Sequence, residues 1–235
     1  MNEQFKRIIL DIKDMIKSPI EGIYYLPDED NITYGYALIF GPKNTPYQNG
    51  NFMFKFEFPK LYPYEPPLVT YLSNDGQTRF NPNFYRNGKV CLSILNTWVG
   101  ESWSACQSIR SVLLTLQITM NEEPFLNEPG MSKNNHSIMI KDYNDMIEYK
   151  TIEKCIIQYN KDSKVVPIHN IECRNTIIQY IKQNFNHCKQ DIIDILTKRK
   201  NGPLNNKTLM SKFYNFSVFM DYNKLLNDIK KLNTK

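Results

Sequence analysis

No stretch of this 235-residue chain approaches the roughly 20 consecutive apolar residues that a membrane-spanning helix needs, so a helical span is not expected. The opening MNEQFKRIILDIKDMIK interleaves charges with apolar residues, unlike a secretory signal. Paired cysteine spacing is also missing. Cys91, Cys106, Cys155, Cys173 and Cys188 are odd in number and scattered, which argues against a disulfide framework and fits a reducing compartment. There is no internal repeat and no long low-complexity segment. What is present is 41% hydrophobic and 13% aromatic residues, with 15 Tyr and 13 Phe. That is ample material for a core and weighs against wholesale disorder. The expectation is a soluble protein of the cytoplasm, with the nucleus also open.

Charge divides the chain. Residues 1–130 carry 11 Lys and Arg against 14 Asp and Glu, a net −3, whereas residues 131–235 carry 18 against 10, a net +8. Two parts are therefore expected, 1–130 and 131–235. In the first, Phe5, Ile8, Ile9, Ile12 and Ile16 recur at helical spacing, and Ser18-Pro19 should end that helix. Strands are expected over 23–26, 33–40, 51–58 and 68–72, clearest where Phe52, Phe54, Phe56 and Phe58 alternate with Met53, Lys55 and Glu57. The turns between them hold Gly41-Pro42, Thr45-Pro46 and Asn49-Gly50, the last a hairpin signal. Sequential strands with short connections predict an antiparallel meander, and flanking helices make the class α+β. A helix follows over 107–120, with Ser104 and Gln107 read as its capping box. Asn127-Glu128-Pro129-Gly130 breaks the chain. Helical patterning then returns at 142–159, 170–185, 188–199 and 218–232, with a loop at Gly202-Pro203.

Residues 79–101 have no strong periodicity, and long ordered loops are usually functional. Within them, Asn81-Pro82-Asn83 followed by Gly88-Lys89-Val90-Cys91-Leu92-Ser93-Ile94-Leu95 resembles the active-site signature of ubiquitin-conjugating enzymes. Gly41-Pro42, Thr45-Pro46-Tyr47, Gly50, the run from Phe58-Pro59 to Tyr62-Pro63-Tyr64-Glu65-Pro66-Pro67, and Trp103-Ser104 fit the same pattern in order and spacing. Three features depart from it: Asn81 stands where the family usually has His, Ala105 where it has Pro, and the loop 96–102 is longer than in minimal members. The Asn81 change, the long loop and a helical extension resemble the Z-type branch of the family. So do Tyr143-Asn144, Glu148, Thr151-Ile152, Asp221-Tyr222 and Leu225-Leu226.

The resemblance implies a conjugating fold: an N-terminal helix, a four-stranded meander, further helices and a helical C-terminal extension. It implies that Cys91 carries ubiquitin, or a ubiquitin-like protein, as a thioester. The thiolate is a strong nucleophile, and a partly exposed Cys91 would need modest help to ionise. Asn83 matches the asparagine assigned to the tetrahedral oxyanion, although in a competing view that side chain holds the loop. Tyr85 and Glu128 match positions flanking the attacking lysine, which near pKa 10.4 must be made neutral to react. Asn81, Pro82 and Ser93 belong to the active-site loop. Lys6, Arg7 and Lys13 match the docking helix for an activating enzyme, and Tyr64, Ala105 and Cys106 match the loops where ligases bind. The implied partners are thus a modifier, an activating enzyme, a ligase and substrate lysines. No cofactor is implied for this chain, because the activating enzyme consumes the ATP.

Rival readings remain. A conjugating-like scaffold that binds ubiquitin without catalysis would lack Cys91 and Asn83 as a pair. Cys155, His169, Cys173, His187 and Cys188 match no usual zinc spacing and read better as core residues, so no metal is expected. The basic extension disperses its lysines through helices rather than clustering them, which speaks against nucleic acid.

Overall fold

A computed structural model describes residues 3–232. Helix α1 (Glu3–Lys17) precedes strands β1 (Ile23–Pro27), β2 (Tyr34–Phe40), β3 (Asn51–Glu57) and β4 (Leu68–Tyr71), which form one antiparallel sheet in sequence order. Helix α2 (Ile109–Thr119) follows the long irregular segment. Helix α3 (Lys133–Lys150) runs into a π-helical stretch, Thr151–Gln158, and ends in the single turn α4 (Tyr159–Lys161). The long helix α5 (Ile171–Lys200), a hairpin of β5 (Lys207–Ser211) and β6 (Phe216–Met220), and helix α6 (Tyr222–Lys231) complete the chain. The expected α+β class and four-stranded meander are observed. Among the described residues, no helix is long and apolar enough to cross a membrane.

The two faces of the sheet are buried differently. Register aligns Ile23, Ile39 and Phe52 on one face, with Tyr25, Ala37, Phe54 and Tyr71 behind them. Aromatic contacts carry that face toward the loop at 80–84: Phe54 meets Phe84 at 5.3 Å and Tyr71 meets Phe84 at 5.1 Å between centroids. The opposite face presents Tyr24, Leu38 and Met53, and the extension covers it. Tyr180 of α5 stacks on Tyr24 at 4.1 Å, while the Asn51 amide donates to the Cys155 carbonyl at 2.7 Å. Gly50 is required by this docking rather than by its own turn. A Cβ there would lie 2.5 Å from the Thr151 methyl. The Asn49-Gly50 pair does not make a two-residue hairpin; it closes a longer loop in which Asn49 has a φ of 64°.

Several elements differ from the sequence expectation for identifiable reasons. Helix α1 buries Gln4, Ile8, Asp11 and Met15, whereas Ile16 is 75% exposed. Two polar groups can sit inside because each is paired. Gln4 donates to the carbonyls of Phe58 and Pro59 at 3.1 and 2.7 Å. Asp11 accepts from Arg7, from the Tyr62 hydroxyl and from the Ile109 N–H at the start of α2, where a helix favours negative charge. Helix α2 is capped by Ser108 with Ser111, not by Ser104; Ser104 and Gln107 instead close their own turn. The expected helices at 170–185 and 188–199 are one, because Cys173, Ile177, Ile181, Phe185, Cys188, Ile192 and Leu196 form an unbroken buried stripe in which cysteine acts as a small hydrophobe. Desolvation by burial pushes the Cys173 thiol up to about 11 and that of Cys188 to about 12. The helix expected over 218–232 begins only at Tyr222; before it, Phe216, Val218 and Met220 face inward from a strand.

Candidate active site

The segment 81–91 folds as a small hairpin. Backbone bridges join Asn81 to Phe84 and Phe84 to Val90, and the Tyr85 N–H donates to the Lys89 carbonyl at 2.8 Å. Strand side chains alternate, so Phe84 and Val90 turn into the core while Asn83, Tyr85, Lys89 and Cys91 share the other side. Asn83 and Cys91 are locked reciprocally. The Cys91 N–H donates to the Asn83 carbonyl at 2.9 Å, and the Asn83 Nδ2 donates to the Cys91 carbonyl at 2.7 Å. The Asn83 Oδ1 is buried without a partner.

Asn81 is fully buried and uses its whole amide. Its Nδ2 donates to the Tyr47 hydroxyl at 2.8 Å and the Thr119 carbonyl at 2.9 Å, while its Oδ1 accepts from the Asn83 N–H at 2.9 Å. It therefore anchors the hairpin to α2 and to the loop before β3. Pro82 is buried, and its carbonyl accepts from Arg79 at 2.6 Å. Ser93 is half-buried and opens a short 3₁₀ turn, Ser93–Leu95.

Cys91 is 2% exposed, so the expectation of a partly exposed thiol is corrected. The following loop folds back on it. The Thr97 hydroxyl donates to the Val90 carbonyl at 2.8 Å and accepts from the Leu92 N–H at 2.9 Å, bracketing Cys91 on both sides. Asn96, at a φ of 56°, accepts from the Trp103 N–H at 2.8 Å and closes the loop. Gly100 passes so near Ser93 that an added Cβ would fall 2.9 Å from the serine Cβ. The sequence motif does not single out Thr97, although a hydroxyl residue in the loop flanking Cys91 was a usable signal.

The other site residues are tied together through groups the sequence did not single out. The Arg79 guanidinium lies 3.4 Å from the Tyr85 ring centroid and 5.7 Å from that of Tyr214. The Tyr214 hydroxyl donates to Glu128 Oε1 at 2.7 Å. Arg86 donates to the Tyr214 carbonyl and lies over the Phe216 ring at 5.8 Å. Tyr85 and Glu128, remote in sequence, are thus linked through Arg79 and through a tyrosine in the β5–β6 turn.

The residues matched to partner docking lie on α1 and the two loops beside it. Lys6 and Lys13 are exposed. Arg7 is turned inward: its guanidinium bonds Asp11, the Ala105 carbonyl at 2.7 Å and the Gln107 carbonyl, so its charge holds α1 to the loop containing Ala105. Tyr64 is 66% exposed and donates to Glu3 at 2.9 Å. Cys106 is exposed beside Ala105. The Trp103 indole N–H donates to the Pro63 carbonyl at 2.7 Å, which joins the Tyr64 loop to the Cys106 loop. Among the described residues, no cluster of His, Cys, Asp and Glu could hold a metal ion.

Comparison with known proteins agrees with this geometry. The family model for "Ubiquitin-conjugating enzyme" matches residues 7–154, running past residue 130 through the end of α3. "Ubiquitin-conjugating enzyme E2 Z" of Homo sapiens is 48% identical over 151 residues, covering 64% of this chain and 43% of its own length. The protein of that name from Xenopus tropicalis is 46% identical over 158 residues, covering 67% and 50%. A "Probable ubiquitin-conjugating enzyme E2" of Acanthamoeba polyphaga mimivirus is 32% identical over 213 residues, covering 83% of this chain and 14% of its own. The chain spans about half the length of the frog relative and less of the others. With the four-stranded meander, the Cys91 hairpin and a family match over well more than half its residues, this chain belongs to the ubiquitin-conjugating enzyme family.

Proposed function

We propose that the chain is a ubiquitin-conjugating enzyme that accepts ubiquitin, or a ubiquitin-like protein, as a thioester on Cys91. It then passes the modifier to a substrate lysine or to a ligase. The reaction is two acyl transfers. In the first, the Cys91 thiolate attacks the activating enzyme's thioester and releases that enzyme's thiol. In the second, a neutral lysine amine attacks the Cys91 thioester, and the thiolate leaves again. Residues 1–130 carry the chemistry, and residues 131–235 pack on them as an extension.

The reciprocal bonds between Asn83 and Cys91 carry this reading. They hold the backbone at Cys91 and keep the Asn83 amide on the same hairpin, which supports a role for it in the reaction. The Asn83 Nδ2 already donates to a main-chain carbonyl, which favours loop-holding as its first task. Its second N–H remains for the oxyanion, whose stabilisation needs a placed donor. Tyr85 and Glu128 form the wall past which the lysine travels. Lys6 and Lys13 offer the activating enzyme an exposed basic face, with Arg7 holding α1 in place. Tyr64 and Cys106 present the neighbouring loops to a ligase.

A charging assay tests the proposal. The protein is mixed with ubiquitin, ATP and either the general or the Z-type activating enzyme, then run on gels with and without reductant. A band about one ubiquitin heavier is expected, lost with reductant and absent in Cys91→Ala. Folded protein that forms no adduct with either enzyme, or with another modifier, would leave the scaffold reading standing.

A further inference from the structure

The turn between β5 and β6 brings the extension against the 81–91 hairpin, through Arg86 and through the Arg79 that covers Tyr85. Phe125 (5.8 Å between centroids), Tyr143 (5.5 Å) and Phe213 (4.9 Å) surround the Tyr214 ring. Its hydroxyl reaches Glu128, 86 residues earlier in the chain. Its carbonyl and that of Asn215 hold Arg86, and its ring lies under the same Arg79 that covers Tyr85. The charged groups facing it are Glu128, Arg79 and Arg86. Burial, and then the Glu128 carboxylate, push the phenol far above its ordinary pKa. It is a neutral donor at any physiological pH and cannot take a proton from lysine.

We propose that Tyr214 is a positioning residue for the aminolysis step, holding the Glu128 carboxylate and, through Arg79, the Tyr85 ring in the wall that the attacking lysine passes. The inference rests on Cys91 being the nucleophile. A charge-assisted hydrogen bond fixes one carboxylate oxygen and leaves the other to face the incoming amine. The catalytic wall is on this account shared between the conjugating core and its extension.

The experiment uses the full chain, charged with labelled ubiquitin and then chased with free lysine. Wild type, Tyr214→Phe, Glu128→Gln and the double variant are compared, with thermal melts of each. Phenylalanine keeps the ring packing and removes only the hydroxyl. Tyr214→Phe is expected to accept ubiquitin to the wild-type extent and to discharge roughly 5-fold more slowly, the scale of one lost hydrogen bond. On the Glu128→Gln background the same change should have no further effect. Discharge at the wild-type rate overturns the proposal, as does an equal further loss on the Glu128→Gln background. A wild type that never charges removes the Cys91 reading itself; a wild type that charges and discharges normally beside an indifferent Tyr214→Phe removes this inference alone.

Discussion

The hairpin bearing Cys91 and the hairpin bearing Tyr214 are both short antiparallel ladders, but they are held by different kinds of contact. The first is closed mostly by bonds within its own segment: Asn81 to Asn83, Tyr85 to Lys89, Asn83 to Cys91. The second pairs with itself but is seated by residues far away in sequence, among them Arg86, Glu128 and Phe125. The difference shows how this fold divides its labour. The candidate nucleophile and its backbone sit in a local motif, and the residues linking Tyr85 to Glu128 are supplied by tertiary packing.

Four changes would break or sharpen that comparison. The largest effect is expected for Asn81→Ala. The Tyr47 hydroxyl, the Thr119 carbonyl and the Asn83 N–H each lose a buried partner, at a combined cost of roughly 3 kcal/mol. Denaturant unfolding measures it, and a loss under about 1 kcal/mol would mean that the Cys91 hairpin is not anchored there.

Asp75→Asn comes next, because Asp75 ties the loop after β4 to Lys150 at the end of α3 at 3.3 Å. It also accepts from the Gln77 and Thr78 N–H groups. Burial raises the carboxyl pKa, but these bonds and the Lys150 charge outweigh it and hold the value below the usual 3.8. A depressed folded value contributes stability at pH above the unfolded value and loses it as pH falls through the folded one. Wild type should therefore lose stability below about pH 4 partly through this group. Asp75→Asn should cost about 2 kcal/mol at neutral pH, since Lys150 keeps only Glu153. Equal acid sensitivity in wild type and variant would show that the tie contributes nothing.

Arg79→Lys probes the link between the two hairpins. Lysine lacks the planar fork that covers Tyr85 while bonding Pro82. A stability loss of about 1 kcal/mol, with slower discharge to lysine, is expected; unchanged discharge would disconnect Tyr85 from the wall. The smallest effect is assigned to Phe213→Ala, whose ring is 47% exposed and touches Phe125 at its edge. A change under about 1 kcal/mol is expected, and a larger one would make Phe213 rather than Tyr214 the seat of the turn.

Much of the conjugating core could be read in advance. The period-two run from Phe52 to Phe58 marks β3 because alternation is a property of the strand itself, whereas residues 79–101 lack such a period and their hairpin at 81–91 was not legible. The orientation of α1 was less accessible: Asp11 and Gln4 are buried only because Tyr62, α2 and the Phe58–Pro59 carbonyls meet them. Strand β6 was hidden because Phe219, on its exposed side, is as apolar as Phe216, Val218 and Met220 on the other. Arg7 reads as a surface charge until the Ala105 and Gln107 carbonyls are placed beside it.

The sequence by itself determined the meander and, through the motif around Cys91, the candidate nucleophile, because each depends on residues within a few positions of one another. Tertiary structure alone decided that Cys91 is enclosed, that Met53 lies under the extension, and that Glu128 meets Tyr214. Those outcomes depend on which surfaces meet when remote segments bury their apolar area together, and no local pattern encodes that choice.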